Sequence, residues 1–168
     1  DVHGAFGQES VRKVQRLKQI NLLLGNGEEL VNDLIEATVQ EVCAGRAEVH
    51  CIRTGQMGDF MRRGCDPAFD LVILIPNNLA SEPGQEAGMS PMGKGARAIE
   101  AIKQRCSTPV IALPVFEARQ AEEPLMLGAG ADRVLELPFD RKQLKAAVSR
   151  CLKLPTRQAA PALALALD

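Results

Sequence analysis

The chain reads as one doubly wound α/β domain with a parallel sheet, and three observations predict it. Five short apolar runs recur along the sequence: Ile20–Leu24, Val49–Ile52, Leu71–Ile75, Pro109–Leu113 and Val134–Leu135. NLLL, LVILI and VIAL within them are continuously apolar rather than alternating, the pattern of strands buried on both faces. Amphipathic helical patterns separate the runs, and strand–helix alternation with right-handed crossovers places helices on both faces of a parallel sheet.

The first helix is expected after Glu28, with Leu30, Leu34, Ile35, Thr38 and Val42 at helical spacing. Only a short helix fits between the second and third strands, around Met57–Arg63. A third is marked by Ala98, Ile99 and Ile102 before Cys106. The spacing predicts a fourth over Ala118–Leu127, kinked or shortened by Pro124 and ended by Gly128 and Gly130. The last carries Leu144, Ala147, Val148 and Cys151 on one face, with Asp140 as N-cap and Gln143 three residues on.

Residues 20–153 form the predicted domain. Residues 1–19 are read as a linker containing a basic amphipathic helix, Gln8–Gln19, with Val11, Val14 and Leu17 among Arg12, Lys13, Arg16 and Lys18. A solvated linker helix is the plain reading of that segment, and a coiled-coil or nucleic-acid contact is the alternative. Residues 154–168, Ala/Leu/Pro-rich, are read as a disordered tail or a connection to another segment.

Composition narrows the function classes. The 168 residues are 46% apolar with a net charge of -1, so a core can form and no general attraction to nucleic acid or anionic membrane exists. No apolar run nears the roughly 20 residues that span a bilayer, and no signal-peptide pattern is present. Nucleic acid would be reached only through a separate domain, if at all. The five cysteines, Cys43, Cys51, Cys65, Cys106 and Cys151, are odd in number and widely spaced. They read as reduced, mostly buried thiols of a cytoplasmic protein. Trp and Tyr are absent, which removes stacking platforms and common hot-spot residues.

No cofactor or catalytic site assembles from the motifs. Gly25-Asn26-Gly27 resembles the start of a dinucleotide loop, but Leu30 takes the third glycine's place and Glu28 and Glu29 would repel phosphate, so a tight turn is expected. Asp1, His3 and Gly7 approach a cobalamin-ligating D-x-H-x-x-G spacing with the glycine one residue late, ahead of the sheet. His50 is the other histidine and falls on a strand, so no zinc set forms. Ser81, Ser90, Ser107 and Ser149 lack a nucleophile-elbow context.

Four blocks carry a resemblance: FDLVIL at Phe69–Leu74, TPVIAL at Thr108–Leu113, GAGAD at Gly128–Asp132 and LPFD at Leu137–Asp140. Over roughly Ile20–Leu152 the chain resembles bacterial response-regulator receiver (CheY-like) domains of two-component signalling. The resemblance implies a flavodoxin-like five-stranded sheet of order 2-1-3-4-5 and a cis Leu137–Pro138 bond. It also implies where the family's chemistry would sit. Gly25 and Asn26 stand at the acidic pair that holds magnesium, and Ile75 at the phosphoacceptor. Pro114 replaces the hydroxyl residue, Leu137 the lysine, and Val134 the switch aromatic. None of these can do that chemistry. Asp70 precedes its strand, at the opposite end.

The family's M-P-x-M-D-G loop is echoed by Met89, Pro91, Met92, Gly93 and Gly95, with Asn77–Gly88 inserted in a Pro76–Gly95 loop. Ile75, Leu137, Pro114 and Val134 are expected to close over the strand ends and bury one another. The expected function is that of a pseudo-receiver, a non-enzymatic regulatory protein-interaction module in signal transduction or transcription control, with no metal and no cofactor. The resemblance implies pairing with a partner protein or a second copy through the fourth helix, fifth strand and last helix. Arg119, Glu122, Asp132, Arg133 and Lys145 are its charged candidates, or else ordinary solvated charges. The alternative is a small-ligand sensor whose strand-end pocket uses Asn26, Asn77 and Asn78.

Overall fold

A computed structural model of the chain describes residues 17–81, 91–115 and 122–154. The strands are β1 (Lys18–Gly25), β2 (Ala47–Thr54), β3 (Leu71–Leu74), β4 (Val110–Ala112) and β5 (Arg133–Val134). The helices are α1 (Glu29–Cys43), α2 (Met57–Gly64), α3 (Pro91–Arg105), α4 (Glu122–Ala129) and α5 (Arg141–Cys151), with a 3-10 turn at Pro76–Asn78. All strand pairs are parallel and the order is β2-β1-β3-β4-β5, the flavodoxin-like sheet expected.

Strand parity divides the core. Leu22, Leu24, Leu71, Ile73 and Ile111 point to α1 and α5, where Ile35, Val39, Leu144 and Val148 meet them. Leu23, Val72, Leu74 and Val110 point the other way, onto Phe60, Ile99, Ile102 and Met126 of α2, α3 and α4. Burying each such side chain contributes about 1.5–3 kcal/mol. Two-sided burial is why the runs are continuous in the sequence.

Several expectations change. The inward face of α1 is Asn32, Ile35, Thr38, Val39 and Cys43, whereas Leu30 is 80% and Leu34 45% exposed. Hydrogen bonds set this phase. Asn26 Nδ2 donates to Asn32 Oδ1 at 2.9 Å and Asn32 Nδ2 to the Asn26 carbonyl at 3.0 Å, holding Asn32 inward and turning Leu30 out. Arg53 of β2 then straps the helix, pairing with Glu29, Asp33 and Glu36 at 2.7–2.8 Å.

The Pro76–Gly95 loop is shorter than expected because α3 is already present at Pro91. Gly93 and Gly95 are therefore helical, and residues 82–90 lie outside the described residues. Helix α4 is described over Glu122–Ala129, with Pro124 inside it, and it runs two residues past the expected end, taking in Gly128. The preceding stretch, 116–121, is not among the described residues. Strand β5 is one residue earlier than expected.

Lys18 and Gln19, expected in the N-terminal helix, instead pair with Ala47 and Glu48 in the sheet. Leu17 is exposed and outside any element, and the earlier part of that helix (residues 8–16), the Asp1–Gly7 motif and residues 155–168 are outside the described residues. Asp140 caps α5, its carboxylate accepting the Lys142 N–H at 2.9 Å. The Leu137–Pro138 bond is cis. Of the cysteines only Cys43 is fully buried, not most of them. No described helix is long and apolar enough to cross a membrane.

Candidate functional site

In a doubly wound sheet the ligand or chemical site forms at the carboxyl ends of the strands. Here those ends are filled. Ile75, one residue past β3, has no exposed surface, and its N–H donates to the Gly25 carbonyl at 2.9 Å. It belongs to the α1/α5-side core together with Leu113, and part-buried Leu137 packs on that core. Pro114 is buried, and its carbonyl accepts the Leu137 N–H at 2.9 Å. Val134 does not join them. It pairs with Ala112, shares that residue's parity, and packs on the α2/α3/α4 side. The expected four-residue plug is therefore made of three.

Gly25 is locked from the other face. A Cβ there would lie 2.5 Å from Phe60 Cδ2 and 2.7 Å from Cε2, inside a fully buried ring. No side chain, acidic or otherwise, fits at this position while Phe60 stays in place. Beside it, three backbone segments meet. Gly27 N–H donates to the Asn78 carbonyl at 2.9 Å, and a Cβ on Gly55 would come within 3.1 Å of the Gly27 Cα.

All but one of the asparagine side-chain groups described at this end are engaged in the turns themselves. Asn26 is 2% exposed. Its N–H donates to the Thr54 carbonyl at 2.9 Å, and its Nδ2 reaches Glu28 O as well as Asn32. Its Oδ1 is buried without a partner. Asn78 donates to Glu28 Oε2 at 3.2 Å, and Asn77 Oδ1 accepts the Val115 N–H at 3.4 Å. Asp59, at the start of α2, is held below the usual carboxylate range by the Thr54 hydroxyl and then by Arg63.

Magnesium does not fit this set. It asks for an octahedron of oxygens including carboxylates, and Gly25, Asn26 and Ile75 bring one amide oxygen. Among the described residues no group of three or more His, Cys, Asp or Glu side chains is placed to hold a metal. Asp70 is at the far end, where its Oδ2 accepts the Asn21 N–H at 2.8 Å. His50 lies exposed on the edge strand β2.

The charged surface candidates separate. Arg119 and the Glu122 side chain lie outside the described residues. Asp132 Oδ2 accepts the Val110 N–H at 2.7 Å and Lys103 Nζ at 2.6 Å, stitching β4 to the end of α3. Lys145 turns toward α1, where it and Arg141 bind Glu41. Those contacts, Lys145 foremost, hold the Glu41 carboxyl below its usual range. Lys145 follows inward-facing Leu144, and the helical phase carries it away from β5.

Arg133 remains on the expected surface, exposed at the sheet edge. It lines a groove of about 550 Å³ with Glu123 of α4, Glu136 and Pro138 after β5, and Gln143 and Arg150 of α5. Sequence reasoning named only Arg133 of these for the surface and missed Glu123, Glu136 and, on α5, Gln143 and Arg150. The spacing of the last two with Ala146, three and four residues apart, marks one face of α5.

No protein-family model matches the chain, and no curated protein matches it. Solved structures do. The receiver domain of a sensor histidine kinase from Pseudomonas aeruginosa, with magnesium in its active-site cleft, has a TM-score of 0.58 at 19% identity, covering 79% of this chain and 96% of that one. The HemR receiver domain from Leptospira biflexa gives 0.58 at 20% identity, over 84% and 99%. A protein described as a cpaE pilus assembly protein, from Burkholderia thailandensis, gives 0.54 at 19% identity, over 79% and 97%. The chain has the receiver fold.

Proposed function

We propose that the chain is a pseudo-receiver, a non-enzymatic regulatory module of the receiver family that works in the cytoplasm through protein contacts and takes up no phosphoryl group at its strand ends. The observation that carries this is Ile75, an aliphatic side chain with no exposed surface where the receiver pattern has its phosphoacceptor. It has no oxygen to phosphorylate, and Pro114 and Leu137 offer a phosphoryl group neither hydroxyl nor ammonium. The sensor reading has less support, because Asn77 and Asn78 and the amide nitrogen of Asn26 are occupied by internal bonds.

The contact surface we propose is the groove between α4, β5 and α5, with Arg133 and Arg150 on its rim. Its occupant is a signalling or transcription-control protein, or a second copy. Self-association by light scattering and partner capture from native extract test this together on the whole chain. Acetyl phosphate with magnesium leaves both unchanged. Arg133→Glu combined with Arg150→Glu weakens the association by about tenfold, as reversal of interfacial charge does. Assembly that depends on the phosphodonor, or assembly indifferent to the double substitution, overturns the proposal.

A further inference from the structure

We propose that the open edge of β2 is a self-association surface, on which β2 of a second copy pairs antiparallel about a two-fold axis at Cys51 and joins the two sheets into one. This edge is the opposite side of the sheet from β5 and the groove beside it.

The two edges of the sheet differ. β5 ends one with two residues, whereas β2 presents eight on the other, Ala47–Thr54. β2 pairs with β1 in one unbroken register and contains neither proline nor glycine. Short strands, prolines and bulges are the usual guards of an edge, and β2 has none of them.

The ladder fixes which backbone groups are open. The Thr54 carbonyl accepts the Asn26 N–H, so Thr54 turns its backbone toward β1. By the alternation of a parallel ladder, Ile52, His50 and Glu48 do the same. Val49, Cys51 and Arg53 turn theirs outward, where nothing among the described residues bonds them. Open groups on alternate residues are what an added strand uses.

The strand complements itself. With the axis at Cys51, Val49 opposes Arg53 of the second copy, and His50 opposes its Ile52. Every outward-facing residue then meets another, and no like charges are opposed. An axis at Arg53 would instead oppose two guanidinium groups. His50 and Ile52 are exposed, Ile52 by 39%, and both line a groove of about 310 Å³ that reaches down to Phe69. Pairing lays Ile52 of each copy against His50 of the other at the rim of that groove.

The two ends of the strand also carry opposite charge. At its finish Glu29, Asp33 and Glu36 share the single guanidinium of Arg53, which leaves carboxylate in excess. At its start Arg46 makes no ion pair with a described residue, and its Nε is buried without a partner. An antiparallel two-fold sets the start of each strand beside the finish of the other, which brings Arg46 of one copy to the acidic end of the next.

Amide hydrogen exchange of the whole chain, followed by NMR over a range of protein concentration alongside light scattering, tests this. As the dimer forms, the amides of Val49, Cys51 and Arg53 slow by about tenfold or more, whereas those of His50 and Ile52 are slow at every concentration. Ile52→Lys, at an exposed position, and Arg46→Glu each weaken association by about tenfold, and Ile52→Val keeps it. Four results overturn the proposal: exchange at Val49, Cys51 and Arg53 that ignores concentration, protection of those three amides in a chain that scatters as a monomer, a dimer in which they stay fast, or association indifferent to either charge substitution.

Discussion

Ile75→Asp loses about 3–5 kcal/mol of stability at neutral pH and gains no phosphoryl group. The side chain it replaces has no exposed surface and sits in the core shared with Leu113, Leu137 and α1. Among the described residues a carboxylate there has no cation beside it, since Leu137 stands where the resemblance puts the lysine. Burial favours the neutral acid, so the introduced carboxyl has a folded-state pKa above its unfolded-state value of about 3.9. Below the unfolded value both states are protonated and the loss is smallest. It grows as pH rises through the folded-state pKa and is complete above it. Ile75→Val, which only trims a methyl, costs about 0.5–1.5 kcal/mol without that pH dependence. Urea unfolding across the acid-to-neutral range measures both. An Ile75→Asp protein as stable as the parent at neutral pH contradicts the apolar filling.

Gly25→Ala costs about 1–3 kcal/mol, although alanine is otherwise a mild replacement. The added Cβ meets Phe60 at 2.5 Å, and the ring has no exposed surface into which to retreat. Phe60→Leu opens that space while carrying its own cavity cost. The double variant Gly25→Ala/Phe60→Leu is therefore less destabilised than the sum of the single changes, and a double-mutant cycle by denaturant unfolding reads the coupling. Additive losses would place the strain elsewhere. Because an acid at position 25 meets the same ring, the first magnesium ligand of the receiver pattern cannot be restored by one substitution.

The sheet was legible because burial on both faces leaves an unbroken mark in the sequence: LVILI and VIAL admit few other readings. Asp140 was legible as a cap for a similar local reason. What was not legible depended on contacts between distant segments. The phase of α1 follows from Asn26 gripping Asn32, which hydrophobic periodicity does not record, so Leu30 and Leu34 looked like core. The face taken by Val134 follows from its pairing with Ala112, which a two-residue apolar run does not specify. At the site, the residue types at Gly25, Asn26, Ile75, Pro114 and Leu137 could be read from the sequence. Its closure by Gly27, Gly55 and Asn78, and the Phe60 ring against Gly25, could not, because glycines reveal a close approach only when the opposing atoms are known. The groove residues Gln143 and Arg150 were overlooked because exposed polar positions on a helix carry no signal until the neighbouring strand edge is placed.

Amide NMR of the whole chain, recorded as magnesium and then beryllofluoride are added, tests whether the strand ends retain any receiver chemistry. The resonances of Gly25, Asn26, Ile75 and Leu137 are expected to stay where they are at every addition, because none of these four positions carries a carboxylate to hold the metal or accept the phosphoryl mimic. Shifts at those four residues that require both ions would contradict the pseudo-receiver account.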